Sequence, residues 1–242
     1  MTLPSFSSVE KAFRDDIKRL FPVNVPYLTV SNFPKLGLLT ALRFLEWVSE
    51  NPKGVVSLPT GKTPEYFISW TRRILETWNT AEGKKLRDKH GLLLEKKPIL
   101  SGLHFVQIDE FYPIRSTQHN SFFHFVKQYY VRDFGLDEAK CLFINCDDIK
   151  LAGGKHFSEV FPNGEVDLSL RFREPASSFE KLQQESVFLL DDWCTDYEQR
   201  IRELGGIGFF LGGIGPDGHI AFNVRGSDHH SSTRLTHTNF ET

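Results

Sequence analysis

Cysteine is scarce in this chain, whose 242 residues include only Cys141, Cys146 and Cys194. Three is an odd number and too few for a disulfide scaffold. Cys141 and Cys146 have neither a second cysteine pair nor suitably spaced histidines, so we expect no metal site. The sequence is typical of a reduced, cytoplasmic protein.

Excess charge and long apolar runs are also missing. The chain has 31 acidic and 29 basic residues, a formal net charge of -2, so no overall field attracts nucleic acid or anionic membranes. No apolar run approaches the roughly 18 residues of a membrane helix. The opening residues include acids and no apolar block, unlike a secretory signal. We therefore expect neither a nucleic acid nor a membrane as a partner.

Strand-like and helix-like segments alternate along the chain. Short β-branched and aromatic runs predict strands over residues 25–30, 54–58, 102–108, 139–145 and 206–211. Helical spacing of apolar residues predicts helices between them, as at Leu38, Leu42, Leu45 and Val48 or at Trp193, Tyr197, Ile201 and Leu204. This alternation predicts an α/β fold with a mostly parallel sheet and helices on both faces.

One stretch interrupts the alternation. Residues 147–185 are rich in glycine, proline and serine, and they include the alternating run EVDLSLRF. We interpret this stretch as an insertion that carries a β-hairpin.

Three predicted strands run into polar loops, with the sequences PTGKTP, IDEFYP and GGIGPDGHIAFN. Ligands of open parallel sheets bind beyond the carboxyl ends of the strands. The three loops are therefore the candidate site.

The first loop is not a nucleotide-binding P-loop, because Val56 stands where that motif requires its first glycine. Thr63 is placed to cap the next helix, with Pro64 at the first helical position. Such a helix start suits a phosphate, and Lys62 adds a positive charge. An ordinary capped helix explains the same residues.

The acids and the histidine of the other two loops each have two interpretations. Asp109 or Glu110 caps the following turn, or serves as a partly desolvated base that removes a proton from carbon. His219 is a turn histidine bonded to backbone, or a catalytic imidazole whose tautomer Asp217 fixes.

At these residues the sequence resembles the glucosamine-6-phosphate isomerase/deaminase and 6-phosphogluconolactonase family. The segments SLPTGKTPEYF, FVQIDEFYPI, HNSFFHFV, CTDYEQRI, GGIGPDGHIAFN and SSTRL match it in order from about Val25 onward, apart from the insertion. The tetrapeptide IAFN favours the deaminase branch. The resemblance implies a Rossmann-like three-layer α/β/α fold in a single domain over residues 1–242.

The resemblance also implies roles for individual residues. Thr60, Gly61, Lys62 and Thr63 would hold the phosphate of a sugar. Asp109 would move a proton between C1 and C2, and His219, oriented by Asp217, would open the sugar ring. This acid–base chemistry needs no metal and no organic cofactor. The expected partner is a small phosphorylated sugar, and assembly into a homo-oligomer stays open.

Two departures bear on these roles. Val224 stands where deaminases have a glutamate that partners the catalytic histidine, and Arg225 replaces the family's proline. Family members also continue past the segment that matches SSTRL, so the resemblance implies the N-terminal part of a longer protein, with a C-terminally truncated fold.

Three functions therefore stand side by side. The first is an isomerase/deaminase of glucosamine 6-phosphate or a related phosphosugar. The second is an isomerase or a 6-phosphogluconolactonase-like hydrolase acting on another phosphosugar, with Val224 reflecting different chemistry. The third is a non-catalytic sugar-phosphate-binding regulatory module, which would tolerate the loss of the histidine's partner.

Overall fold

A four-stranded parallel sheet forms the centre of the described structure. The computed structural model describes residues 7–13 and 27–238. The strands are β1 (Val55–Ser57), β2 (His104–Val106), β3 (Cys141–Leu142) and β4 (Phe209–Phe210), in the spatial order β3-β2-β1-β4. All three pairings are parallel, with Val56 opposite both Phe105 and Phe209. The parallel sheet predicted from the sequence is confirmed.

Seven α-helices connect and flank these strands in the described part of the chain. They are α1 (Ser8–Ala12), α2 (Phe33–Glu50), α3 (Glu65–Glu76), α4 (Ala81–Lys89), α5 (Phe122–Val126), α6 (Phe157–Val160) and α7 (Ser178–Glu203). A wider π-helical turn, Lys127–Asp133, continues α5. The side chain of Asn32 caps α2 by accepting a hydrogen bond from the N–H of Lys35 (2.9 Å), which satisfies a donor that the helix leaves open.

Successive strand residues point to opposite faces of the sheet and into different apolar clusters. Val56 and Phe105 pack with α2, α3 and α5 on one face. Val55 and Val106 pack with Tyr197 and its neighbours on α7 on the other face. Helices therefore cover both faces, and the expected three-layer α/β/α architecture is confirmed.

The insertion folds differently from the prediction. Residues 147–177 form short 3-10 turns and α6, and α7 begins at Ser178, so the predicted hairpin is wrong. Leu168 and Leu170 are buried, as the alternating pattern requires, but they lie in a 3-10 turn, Leu168–Arg171. The Asp167 side chain caps that turn by accepting a hydrogen bond from the N–H of Ser169 (2.9 Å), a local bond that competes with strand pairing.

The strand predicted over residues 25–30 is also not found where the structure can be described. Val25 and Pro26 lie outside the described residues. Residues 27–30 belong to no strand, although Leu28 and Val30 pack against the cluster around α2. Their apolar side chains contribute to the core outside any strand.

Candidate active site

The loop after β1 presents free backbone donors. Gly61 has a φ of +73°, a conformation that glycine adopts without strain. No acceptor in the described part of the chain contacts the N–H groups of Gly61, Lys62 or Thr63. These donors precede α3, whose amino-terminal end carries partial positive charge. The turn therefore has the chemistry to bind an anion.

The predicted cap of α3 is wrong by one position. Pro64, not Thr63, is the capping residue, and it makes no side-chain hydrogen bond. Thr63 instead packs toward the glycine loop, since a Cβ on Gly213 would lie 3.1 Å from its Cγ2. The first and third loops are therefore in contact.

A buried tyrosine fixes the start of the first loop. Tyr130, on the π-helical turn, is fully buried, and its hydroxyl donates a hydrogen bond to the carbonyl of Pro59. A buried carbonyl needs such a donor. The anion-binding turn thus begins from a fixed point of the core.

Glu110 caps α5. One of its carboxylate oxygens accepts hydrogen bonds from the N–H groups of Phe111 and Phe122 (both 3.0 Å). The other accepts from the hydroxyl of Ser121 (2.9 Å) and the N–H of Phe123 (2.7 Å). Burial raises the pKa of Glu110, and these four bonds oppose the shift. Three of its four hydrogen bonds hold the start of α5, so the capping interpretation holds for Glu110.

Asp109, next to it, has a different environment. No donor in the described residues contacts its carboxylate, although its backbone carbonyl accepts a hydrogen bond from the side chain of Gln107 (3.0 Å). Burial and, second, the charge of Glu110 raise the pKa of Asp109 to about 7. A carboxyl group with that pKa can both take and give a proton near neutral pH.

The glycine loop after β4 holds His219 against Asp217. The Nδ1 atom of His219 lies 2.5 Å from a carboxylate oxygen of Asp217, and both side chains are largely buried. A Cβ on Gly215 would fall 2.1 Å from Cε1 of His219, so the imidazole packs directly over this glycine. Asp217 therefore orients the imidazole although Val224 cannot.

Val224 lies in a separate turn, where its carbonyl accepts a hydrogen bond from the N–H of Ser227 (3.0 Å). Phe222, two residues earlier, packs against Phe111 (ring centroids 4.8 Å apart) and Phe122 (5.8 Å). These aromatic contacts tie the third loop to the second loop.

A cavity of about 740 Å³ lies between the sheet edge and the insertion. Its wall includes Asp109, residues 220–223, the insertion residues Val166 and Leu168, and residues 231–238. Within the described residues, neither His219 nor residues 60–63 belong to this wall. The structure therefore brings Asp109 and the end of the third loop to one cavity, while the histidine and the anion-binding turn lie beyond its lining.

Residues 231–238, which the sequence analysis assigns no role, form part of this wall. The carboxylate of Glu198 on α7 accepts hydrogen bonds from the N–H (3.1 Å) and the hydroxyl (2.9 Å) of Thr233. Arg234 donates to the side chain of Asn223 (2.9 Å) and forms no ion pair with a described carboxylate. This cation at the cavity is a second candidate for anion binding. Its place beside Thr233 in the matching segment SSTRL is the sequence signal that could have identified it.

The described residues offer neither a metal-binding cluster nor a membrane-spanning helix. They contain no group of three or more histidine, cysteine or acidic side chains arranged to hold a metal ion. None of their helices is both long and apolar enough to cross a bilayer.

Comparison with known proteins gives short, strong local matches to one enzyme. The chain is 59% identical over 46 residues to glucosamine-6-phosphate deaminase of Phocaeicola vulgatus. It is 57% identical over 49 residues to the enzyme of that name from Caenorhabditis elegans, and 64% identical over 42 residues to glucosamine-6-phosphate deaminase 2 of Xenopus tropicalis. These segments cover 17–20% of this chain and 15–18% of the relatives. No family model matches the chain.

A solved structure extends the similarity to the fold. It is a monomeric glucosamine-6-phosphate deaminase described as a missing link of the NagB superfamily, with a TM-score of 0.58 and 20% identity. The match covers 88% of this chain and 64% of that one, just under two thirds. The resemblance to the isomerase/deaminase family, on its deaminase side, is confirmed.

Proposed function

We propose that the chain carries the catalytic groups of a sugar-phosphate isomerase/deaminase that acts on glucosamine 6-phosphate or a related phosphosugar. The observation that carries this proposal is Asp109, a partly buried carboxyl group that no described donor contacts, with a pKa raised to about 7, at the wall of a cavity. A helix cap or an ion pair would stabilise the carboxylate and hold the pKa low. A base that removes a proton from carbon near neutral pH requires the opposite.

The reaction begins with ring opening. His219 transfers a proton between the anomeric hydroxyl and the ring oxygen, and the carboxylate of Asp217 fixes the ring nitrogen that faces it. An orienting carboxylate of this kind supports proton transfer by an imidazole in many enzymes. Asp217 thereby performs the orienting role that a glutamate has in deaminases at the position where this chain has Val224.

Asp109 then carries out the isomerisation. Its carboxylate removes the proton from C2 of the open-chain aldose, and the resulting carboxylic acid returns a proton to C1. For a 2-amino sugar the product is a ketimine, whose hydrolysis releases ammonia and leaves the ketose phosphate. The raised pKa allows one group to act as base and acid in the same turnover.

The phosphate anchors the substrate. The free N–H groups of Gly61, Lys62 and Thr63, the hydroxyl of Thr60 and the Lys62 ammonium form the anion-binding turn at the start of α3. Arg234 offers a second cation at the cavity that Asp109 lines. Binding energy from the phosphate is available to hold C1 and C2 against the carboxylate.

The test is ammonia release from glucosamine 6-phosphate by the purified chain, measured with a coupled enzyme assay. We expect turnover in the wild type and a loss of at least about 10³-fold in Asp109→Asn, because the amide cannot accept the proton. Asp192→Asn, an exposed change on α7, is the matched control and should keep wild-type activity. Equal activity in Asp109→Asn and the wild type contradicts the proposal.

Two further assays on the purified protein distinguish the proposed function from its alternatives. Hydrolysis of 6-phosphogluconolactone without ammonia release favours the hydrolase. Calorimetric binding of phosphosugars without any turnover, lost in the Thr60→Ala/Thr63→Ala double variant, favours a binding module. The position of His219 outside the cavity wall is the observation that keeps this last alternative in the test.

A further inference from the structure

Gln107 is a buried polar residue that the proposed chemistry leaves unused. It directly follows β2 and stands two residues before Asp109, with 1% of its surface exposed. Both ends of its amide are bonded. The side-chain NH₂ donates to the carbonyl of Asp109 (3.0 Å), and the side-chain oxygen accepts from the N–H of Ile144 (3.1 Å).

These bonds replace a sheet ladder that has ended. The backbone N–H of Gln107 donates to the carbonyl of Leu142, the last residue of β3 (3.0 Å). Beyond that bond β2 and β3 no longer pair through their backbones, and the Gln107 side chain connects the two segments that follow them. The hydroxyl of Tyr197 lies 2.6 Å from the carbonyl of Gln107 and 2.9 Å from that of Leu142, so α7 secures the same junction from the other face of the sheet.

The bridge matters because, among the described residues, no group holds the Asp109 carboxylate directly. A reacting carboxylate is usually aimed by donors on its own oxygens, and no described group donates to those of Asp109. Its direction is therefore set by its backbone, which the Gln107 amide holds. The titratable groups near it are Glu110, whose oxygens are occupied by the start of α5 and the N–H of Phe111, and Tyr197, whose hydroxyl is bonded to carbonyls.

We propose that Gln107 is a positioning residue for Asp109, holding the backbone from which the carboxylate reaches the substrate carbon. This inference rests on the proposed function, in which Asp109 is the base. A bridge that only stabilised the sheet would leave turnover per folded molecule unchanged. A positioning residue changes turnover without weakening substrate binding.

The kinetic test compares two glutamine-to-leucine variants. Gln107→Leu removes the bridge while keeping the volume. Gln184→Leu removes two hydrogen bonds from the Gln184 side chain to the carbonyls of Leu170 (2.8 Å) and Arg173 (2.9 Å), away from the cavity wall. We expect kcat to fall about 10- to 100-fold in Gln107→Leu with KM changed less than about threefold, as for a slightly misplaced reacting group. A kcat in Gln107→Leu equal to that of Gln184→Leu overturns the proposal.

A second readout does not depend on turnover. The carboxyl carbon of Asp109 can be titrated by ¹³C NMR in the wild type and both variants. Release of the backbone lets water reach the carboxylate, so we expect the Asp109 pKa to fall by at least about one pH unit in Gln107→Leu. An unchanged pKa in that variant contradicts the positioning role.

The two proposals fail in different ways. A wild type that releases no ammonia removes the proposed function, and the titration alone then decides whether Gln107 holds Asp109. If Gln107→Leu does not fold, Tyr197→Phe decides, because it loosens the same junction by deleting one hydroxyl. We expect it to lower the Asp109 pKa in the same direction, and an unchanged pKa there overturns the inference.

Discussion

Asp109 and Glu110 are adjacent carboxyl groups, and burial affects both. The oxygens of Glu110 accept three hydrogen bonds from the start of α5 and one from the N–H of Phe111, whereas those of Asp109 accept none from the described residues. Hydrogen bonds to a carboxylate compensate for the water it loses, and an unbonded carboxylate retains the full cost of burial. At the scale of single residues, the difference between a structural and a reactive acid is the number of donors that face it.

The cost of ionising Asp109 should be visible in stability. Its folded-state pKa of about 7 lies above the usual 3.8, so between these values the folded chain binds more protons than the unfolded chain. The contribution of Asp109 to stability is therefore complete below about pH 4 and is lost as the pH rises through 7. We expect Asp109→Asn to raise the free energy of unfolding by about 2–4 kcal/mol at pH 8 and to leave it unchanged at pH 3.

Urea unfolding of wild type and Asp109→Asn across this pH range measures the difference directly. Asp192→Asn serves again as the control and should follow the wild type at every pH. A difference between wild type and Asp109→Asn that does not grow with pH argues against a raised pKa.

Asp217 allows a second prediction at this scale. Asp217→Asn leaves a side chain of the same size beside His219 but removes the charge that fixes its tautomer. We expect kcat to fall about 10²- to 10⁴-fold. Steady-state ammonia release measures the loss. Asp228→Asn is the matched control. Asp217 accepts a hydrogen bond from the N–H of His219 (3.3 Å), and Asp228 likewise accepts one from the N–H of His230 (2.8 Å). A comparable loss of kcat in Asp228→Asn contradicts a specific role for Asp217.

At the scale of elements, the predicted strands and helices agree with the structure where the spacing of apolar residues along a segment matches the side chains that the structure buries. The two-residue alternation of the strands and the apolar stripes of α2 and α7 are repeated signals. The errors occur at a local hydrogen bond and at a helix end, neither of which the period of the apolar residues specifies. Asp167 caps a 3-10 turn within EVDLSLRF, so that alternation produces no hairpin, and α3 begins one residue after the expected position.

The candidate site is likewise predictable from the sequence in part: the loops are predictable, and the cavity is not. Parallel order alone puts the three loops at one edge of the sheet. The cavity beside Asp109 depends on the insertion and on residues 231–238, whose contacts join residues far apart in the sequence. The hydrogen bond between Glu198 and Thr233 is an example, and no local sequence pattern predicts it.

Tyr130 provides a prediction about the first loop. Tyr130→Phe leaves the partly buried Pro59 carbonyl without its donor, so we expect the free energy of unfolding to fall by about 1–3 kcal/mol and KM for the phosphosugar to rise. Tyr129→Phe is the control, because the Tyr129 hydroxyl makes no hydrogen bond within the described residues. Urea unfolding and steady-state kinetics test both effects, and equal behaviour of the two variants counts against the anchor.

At the scale of the whole molecule, one helix joins two of the three apolar clusters found among the described residues. The amino-terminal half of α7 packs on the insertion through Val187 and Leu190, and its carboxyl-terminal half covers the sheet through Tyr197. The cluster around α2 lies on the opposite face. The cavity forms where the insertion, α7 and the sheet edge meet, so its shape depends on all three.

The cluster around α2 should govern stability independently of activity. Leu42 is completely buried there, and truncating a buried leucine leaves a cavity. We expect Leu42→Ala to lower the free energy of unfolding by about 2–5 kcal/mol while kcat per folded molecule stays unchanged. Leu93→Ala, at a side chain that is 71% exposed, should change stability by less than about 0.5 kcal/mol. Chemical denaturation with parallel activity assays separates the two effects.

The packing of His219 on Gly215 also constrains how this sequence can evolve. A methyl group at position 215 would overlap the imidazole, at 2.1 Å from Cε1, while a smaller residue at position 219 would remove the overlap. Substitutions at the two positions therefore have an order. A lineage that abandons the histidine gains freedom at the glycine, whereas one that changes the glycine first displaces the histidine in the same step. A side chain at position 215 is therefore compatible only with a changed or displaced residue at position 219.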